Sequence, residues 1–344
     1  MISYILKEPK CVEAQEGPKP VPQGREVLVR IRYVGICGSD IHLFNGTYNG
    51  PHSYPMRFGH EWSGVVEAVG SEVTRVAVGD VVTGDCSRYC GACPSCEVDK
   101  NLCQHIEKFG ITVDGASADY ILRDEMYLYK APEGLDIKHL CLSEPVAVAA
   151  HLLEKVRKAV PGGFADKRVL VLGGGVIGMS ALMLLLHMEN CRQAELYDLA
   201  ESRTALARGE GARIPAAQEL APSSEGGDYA SLYAAAKYDV VIETTGVASV
   251  FANALNLVKP GGVLGCVGMI AKVEIAQKLI VTKSLTVIGS IGGTGDFPRA
   301  MEFLCKNPAS ADKLISHYYP IGEAAQAFAT ARVPEGTMKV VLTL

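Results

Sequence analysis

The stretch Arg168-Val-Leu-Val-Leu-Gly-Gly-Gly-Val-Ile-Gly178, its apolar continuation to Leu186, and the later Ala194-Glu-Leu-Tyr-Asp198 decide how the chain is read. Val169 to Leu172 is short, apolar and bounded by glycine, as a strand buried on both faces should be. Gly173, Gly175 and Gly178 fit G-x-G-x-x-G, in which glycines permit a tight turn, close approach of a pyrophosphate and close packing of the next helix. The pyrophosphate of a dinucleotide then sits on the helix N-terminus, at Val176 and Ile177. Asp198 closes a second apolar strand about 20 residues beyond the glycines, where an acid bonds the adenosine ribose hydroxyls.

Downstream, strands alternate with helices: Lys237 to Glu243, a helix near Val250 to Val258, then Gly262 to Val267 and Leu285 to Gly289. This is the pattern of a parallel, doubly wound α/β sheet. Within it, Ile214 to Tyr233, carrying Pro222-Ser-Ser-Glu-Gly-Gly227, is expected to be a mobile surface excursion. Upstream, residues to about Asp136 read as β-rich, because Glu26 to Val34 alternates apolar and polar residues and Gly64 to Val69 and Val81 to Thr83 are β-branched runs between glycines. Leu142 to Ala159 shifts to an alanine-rich helix, which Pro161-Gly-Gly163 ends. After Gly292 two helical segments, Pro298 to Cys305 and Gly322 to Ala331, precede a strand-like run from Lys339 to Leu344.

The chain of 344 residues suffices for two domains, since single cores rarely grow past about 250 to 300 residues. A net charge of −5 with no run of lysines and arginines excludes nucleic acid and acidic membranes as expected partners. Met1 to Pro9 lacks the pattern of a signal peptide, and the apolar run Val176 to Leu186 stops at His187, too short to span a bilayer. A cytoplasmic protein is expected. Eleven cysteines, an odd number, argue for metal or thiol chemistry over a disulfide framework.

Cys90-Gly-Ala-Cys93-Pro-Ser-Cys96, followed by Cys103, is the strongest local signal. Four thiolates so close in sequence suit a closed tetrahedral zinc site that pins a loop with little core of its own. A redox pair or an iron-sulfur cluster fits the spacing and context less well. Cys86 is a spare ligand, and Cys11, Cys141, Cys191, Cys266 and Cys305 read as core or surface thiols. A second set is scattered: Cys37-Gly-Ser-Asp-Ile-His42, Gly59-His60-Glu61, and Glu144 before Pro145. Cysteine, histidine and carboxylate suit zinc with a position open to substrate, although each alone is equally a buried thiol, a core histidine or a solvated acid.

Together these pieces resemble the zinc-dependent medium-chain dehydrogenase/reductase family, which contains alcohol, sorbitol and threonine dehydrogenases. The resemblance covers nearly the whole chain and runs through four motifs in the family's order: Cys37-Gly-Ser-Asp40 with Gly59-His60-Glu61, the cysteine cluster, Ser143-Glu144-Pro145, and the glycine turn. It implies a doubly wound parallel Rossmann sheet at 146–292, binding NAD, inserted in a β-rich GroES-like catalytic domain made of 1–145 and 293–344. It also implies two zinc ions, one structural and one catalytic. The catalytic zinc would be held by Cys37 and His60, completed by Glu61 or Glu144, with Ser39 accepting the substrate hydroxyl proton and His42 passing it on. The family's cluster usually has seven residues between its third and fourth cysteines where this chain has six, so Cys103 is expected as fourth ligand with Cys86 in reserve.

The resemblance carries further expectations. Asp198 should favour NAD over NADP, Arg203 should pack on adenine or reach the ribose, and Lys339 should reach the cofactor pyrophosphate. Leu43 to Gly50 should line the substrate site. The implied reaction passes hydride between a secondary alcohol of a polyol, sugar or cyclitol and NAD. L-threonine or another amino alcohol is the competing substrate, and a nucleotide-binding protein without turnover is the competing class. Relatives form homodimers or homotetramers.

Overall fold

The computed structural model describes residues 1–222, 228, 230 and 233–344. Of the expected excursion, Ala217–Leu220 is a single helical turn, and residues 223–227, 229, 231 and 232 lie outside the described residues. The chain divides into two compact units, Met1–Ala147 with Gly292–Leu344, and Val148–Ile291. No described helix is long and apolar enough to cross a membrane.

The second unit is a five-stranded sheet in which every pairing is parallel, in the order Gln193–Tyr197, Arg168–Leu172, Tyr238–Glu243, Val258–Cys266, Thr286–Gly289. Val169 to Leu172 is buried throughout, as its unbroken apolar run requires. The chain leaves Arg168–Leu172 for one neighbour and later returns to the other, so right-handed crossovers put helices on both faces and create a switch point at the end of this strand. There the glycine turn leads into the helix Val176–His187, whose residues Gly178 to Leu185 are all buried.

The first unit is built on a seven-stranded sheet whose path runs Leu128–Lys130, Val81–Gly84, Glu61–Val69, Glu26–Gly35, Lys339–Thr343, Ile315–Pro320, with Tyr120–Asp124 also on Glu26–Gly35. Both chain ends therefore share one sheet: Lys339–Thr343 lies antiparallel to Glu26–Gly35, with Val341 opposite Gly35. The strand Ile315–Pro320 beside it falls between the two segments read from sequence as helical, in a stretch to which that reading assigns no element. The N-terminal hairpin Ile2–Glu8 with Cys11–Glu16 forms a small second sheet. The core under these sheets gathers Val34, Phe58, Trp62, Phe328 and Leu342. Trp62 fits because Gly84 beside it has no side chain, a Cβ there meeting the indole at 2.6 Å.

Candidate active site and metal centres

The strand Glu26–Gly35 runs through Ile36 to Cys37, which stands at the N-terminus of the helix Gly38–Asn45. Asp40 fixes that start by accepting the Cys37 N–H at 2.9 Å, and its other oxygen accepts the Gly59 N–H at 3.2 Å. One wholly buried carboxylate thus ties the two motifs together. Gly59 has φ of +82°, and any Cβ there would strike Val34, so this position needs glycine. His60 follows, its Nδ1 3.8 Å from the Asp40 carboxylate, and Glu61 opens the strand Glu61–Val69 opposite Gly35. Sulfur, imidazole nitrogen and carboxylate oxygen of Cys37, His60 and Glu61 all lie within 4.8 Å of one another.

The surroundings of this triad call for a cation. Burial alone would lower the His60 imidazole, but the Asp40, Cys37 and Glu144 charges outweigh it and hold the group well above its ordinary value. His60 Nδ1 is buried without a hydrogen-bond partner. Glu144, in the first turn of the helix Ser143–Lys158, is buried beside His60 and Glu61. Burial raises its carboxyl, Glu61 raises it further, and His60 opposes both. Its carboxylate is not in the 4.8 Å set. A soft thiolate, an imidazole and a carboxylate converging in a buried anionic site are donors that zinc accepts.

The Lys339 ammonium, expected at the cofactor pyrophosphate, is buried: it donates to the Ile36 carbonyl at 2.9 Å and is paired with the two Glu61 oxygens at 2.8 and 2.6 Å. Its charge answers a carboxylate of the triad.

Ser39 and His42 sit one helical turn apart on the same helix. The Ser39 hydroxyl is buried and lacks any hydrogen-bond partner, a rare state that a native site normally resolves with a ligand or water. His42 is exposed and anchored through Nδ1 to the Thr47 hydroxyl at 2.9 Å.

The cysteine cluster closes around a tetrahedron. Sulfur separations are 3.5 Å for Cys93–Cys96, 3.6 Å for Cys90–Cys103, and 4.0 Å for both Cys90–Cys96 and Cys93–Cys103. Zinc–sulfur bonds near 2.3 Å give tetrahedral edges of about 3.8 Å, and a disulfide would need about 2.05 Å. Backbone N–H groups of Cys90 and His105 donate to the Cys103 sulfur at 3.3 and 3.4 Å, which lowers that thiol. The Gln104 N–H is the main cause that brings Cys93 down to about 6. The six-residue interval is spanned by a short helix, Pro94–Val98, and a tight turn at Lys100–Leu102 capped by Asp99. Cys103 stands in the cluster, and the reserve Cys86 does not: its buried thiol lies against the Glu144 carboxyl.

In the second unit Gly173 takes φ of +98°, and a Cβ on Gly178 would run into the Gly173 carbonyl. Gly175, at the N-terminus of its helix, has open space where a Cβ would project. Val176 and Ile177, the next residues, are half-buried. A turn that is sterically closed on its inner side and open at Gly175 fits a diphosphate lying against helix N–H groups. Asp198 accepts N–H bonds from Gly174 at 2.6 Å and Ala200 at 2.8 Å, with the Arg203 guanidinium 3.4 Å away.

Comparison with known proteins agrees with this inventory. Residues 23–133 match the alcohol dehydrogenase GroES-like domain, and residues 137–344 match the glucose dehydrogenase C-terminus. The chain belongs to the zinc-dependent medium-chain dehydrogenase/reductase family. The dehydrogenase is 30% identical to a sorbitol dehydrogenase of Halalkalibacterium halodurans over 337 residues, covering 96% of this chain and 94% of that protein. Among solved structures, the Escherichia coli alcohol dehydrogenase RspB complexed with NADH superposes with a TM-score of 0.88 at 26% identity, covering 100% of this chain and 99% of that one. Galactitol-1-phosphate dehydrogenase from Escherichia coli gives 0.86 at 26% identity, covering 100% of both chains. The cofactors of the present chain are zinc and a nicotinamide dinucleotide, and its fold is a parallel α/β sheet with a GroES-like domain.

Three groups in the dehydrogenase escaped the sequence reading. Asp40 has no role of its own in the sequence motif, although its position three residues after Cys37 is a capping spacing. Thr244, whose hydroxyl bonds the carbonyls of Leu172 and Gly173 at 3.0 and 3.2 Å, supports the glycine turn from a neighbouring strand end. Cys86 carries no local signal for its place beside Glu144.

Proposed function

We propose that the enzyme oxidises a secondary alcohol of a polyol, sugar or cyclitol with NAD, and reduces the corresponding ketone in reverse. The observation that carries this reading is the convergence of Cys37, His60 and Glu61 within 4.8 Å, with a second buried carboxylate, Glu144, alongside. Two acids beside one thiolate suit a hydroxyl-rich substrate, because Glu144 offers an acceptor to a hydroxyl next to the reacting one. Zinc bound there supplies Lewis acidity to an alcohol oxygen, and the nicotinamide is the hydride acceptor.

The residues of the chain do the rest. Cys37, His60 and Glu61 would hold the catalytic metal, and the buried Asp40 carboxylate, 3.8 Å from His60 Nδ1, acts on the imidazole through its charge and not through a hydrogen bond. Lys339 restrains Glu61 and moderates its negative charge. The unpartnered Ser39 hydroxyl accepts the proton of the substrate hydroxyl as it gives up its own, and His42 moves that released proton toward solvent. Cys90, Cys93, Cys96 and Cys103 hold the structural metal. Gly173, Gly175, Val176, Ile177 and Gly178 receive the diphosphate, and Asp198 accepts from the adenosine ribose and disfavours a 2′-phosphate. Arg203 shields part of the Asp198 charge and lies against the same ribose.

We place residues 1–145 and 293–344 as the catalytic domain and 146–292 as the NAD domain. A cytoplasmic homodimer or homotetramer is our further reading, supported for the compartment by eleven cysteines of which none is paired in a disulfide. The test is NAD reduction at 340 nm with zinc-loaded protein over neutral polyols, sugar-alcohol phosphates, sugar acids, cyclitols and L-threonine. Turnover of a polyol or cyclitol is expected. Turnover of L-threonine alone would move the substrate class, and silence with metal and NAD bound would favour a binding protein.

A further inference from the structure

We propose that Lys108 is a specificity-determining cation of this site, donating to a phosphate or carboxylate oxygen on a polyhydroxylated substrate. The inference rests on the dehydrogenase reading above and narrows it to polyols that carry an oxyanion.

Lys108 ends the short strand Glu107–Lys108, paired antiparallel with Ser87–Arg88 so that Ser87 faces Lys108. Its ammonium donates to the Ser87 hydroxyl at 2.6 Å. Ser87 is itself fixed, its N–H donating to Asp85 at 2.9 Å, and the same Asp85 oxygen accepts from the Thr294 hydroxyl at 3.0 Å. The Lys108 backbone is equally constrained: its N–H donates to the Thr112 hydroxyl at 2.8 Å, and its carbonyl accepts from Ile111, Thr112 and Val113 at 3.1, 2.9 and 3.2 Å. Cys86, the neighbour of Ser87, places its thiol against Glu144. A held ammonium is therefore brought to the wall on which Glu144 stands.

That ammonium is incompletely answered. It has three donors, and Ser87 takes one. Among the described residues no carboxylate lies within 4.0 Å of it. Both hydrogen bonds to Asp85 go to Oδ1, its Oδ2 is buried without a partner, and Glu144 stands beside the Cys37, His60 and Glu61 triad. The charge is nonetheless felt locally, since Lys108 opposes the burial that raises Asp85, Cys86 and Glu144. Water can satisfy the remaining donors of a half-buried ammonium, and an oxyanion that displaces it gains a charge-assisted contact. A neutral hydroxyl would engage one donor, whereas an oxyanion engages two and matches the charge.

The test compares kcat/KM of the zinc-loaded enzyme for galactitol 1-phosphate and galactitol, and for a sugar acid and its neutral polyol. Wild type should prefer at least one anionic partner by tenfold or more, and the arm that shows the preference distinguishes phosphate from carboxylate. Lys108→Met should lower kcat/KM for that substrate by about a hundredfold, the scale of a lost charge-assisted contact, and for the neutral polyol by less than about threefold. Lys108→Arg should restore most of the loss. Calorimetric titration of the NADH-bound protein with the same anionic polyol should show a matching loss of affinity, and Ser87→Ala a smaller one with the charge kept. Equal losses for charged and neutral substrates, or no change for the charged one, would overturn the proposal. Oxidation of neutral polyols without any anionic preference would overturn it while leaving the dehydrogenase reading intact, and silence over the whole panel would remove both.

Discussion

The four sulfurs of the cysteine lobe come from a single loop, whereas Cys37, His60 and Glu61 come from a strand end, a glycine turn and the start of another strand. Beneath the lobe lies only a small cluster that includes Tyr89, Phe109, Tyr127 and the cysteines themselves. Beneath the triad lies the main core, with Val34, Ile36, Phe58, Trp62 and Leu342. In the lobe, metal binding is the chief source of local order, because a loop of this kind buries little without it. At the triad the order is reversed, and the core and Asp40 hold the ligands in place before any metal arrives. The same element serves as a folding device in one region and as a reagent in the other.

Substitutions can break this contrast. Cys37→Ser should lower kcat/KM on any accepted polyol by roughly a thousandfold or more, with the thermal midpoint shifted by no more than a few degrees. Steady-state kinetics beside calorimetry checks the pair of effects, and a collapse of the midpoint would place folding responsibility at the triad. Lys339→Met tests the buried pair directly. Without metal it leaves Glu61 buried and unanswered, which should cost about 3 kcal/mol by denaturant titration. With zinc bound the loss should be clearly smaller, and equal losses in both states would mean that Glu61 does not sense the metal.

Cys103→Ser should remove one zinc and leave the catalytic one. Hydrogen exchange should rise across 86–108 while Glu26–Gly35 stays protected, and the midpoint should fall by about 4 to 8 °C. Protection unchanged in the loop would show that the lobe folds without its metal. The smallest effect belongs to the second unit, where Asp198→Ala should raise the KM for NAD about tenfold and narrow the preference over NADP. An unaltered cofactor preference would mean that Arg203, 3.4 Å from Asp198, already governs the choice.

What could be read in advance follows the same contrast. The cysteine loop and the glycine turn announce themselves because their chemistry is contained in one local spacing. The scattered triad acquires meaning only as a set. The contact of Lys339 with Glu61 joins positions 278 residues apart and has no local signature, so the lysine was assigned to the cofactor by analogy with relatives. Cys86 was read with the nearby cysteines, yet the pairing of Ser87–Arg88 with Glu107–Lys108 turns it toward Glu144. The strand Ile315–Pro320 was missed for a related reason. Its alternating exposure spans only six residues between helices, and its partner Lys339–Thr343 lies at the chain's end.

The separation of the two centres is tested most directly by counting zinc per chain in wild type, Cys37→Ser and Cys103→Ser by elemental analysis of intact protein. The expected result is two, one and one, with NAD reduction lost in Cys37→Ser and, on a neutral polyol, largely kept in Cys103→Ser. One zinc in wild type that survives Cys37→Ser, or loss of both ions from either single substitution, would contradict two independent centres.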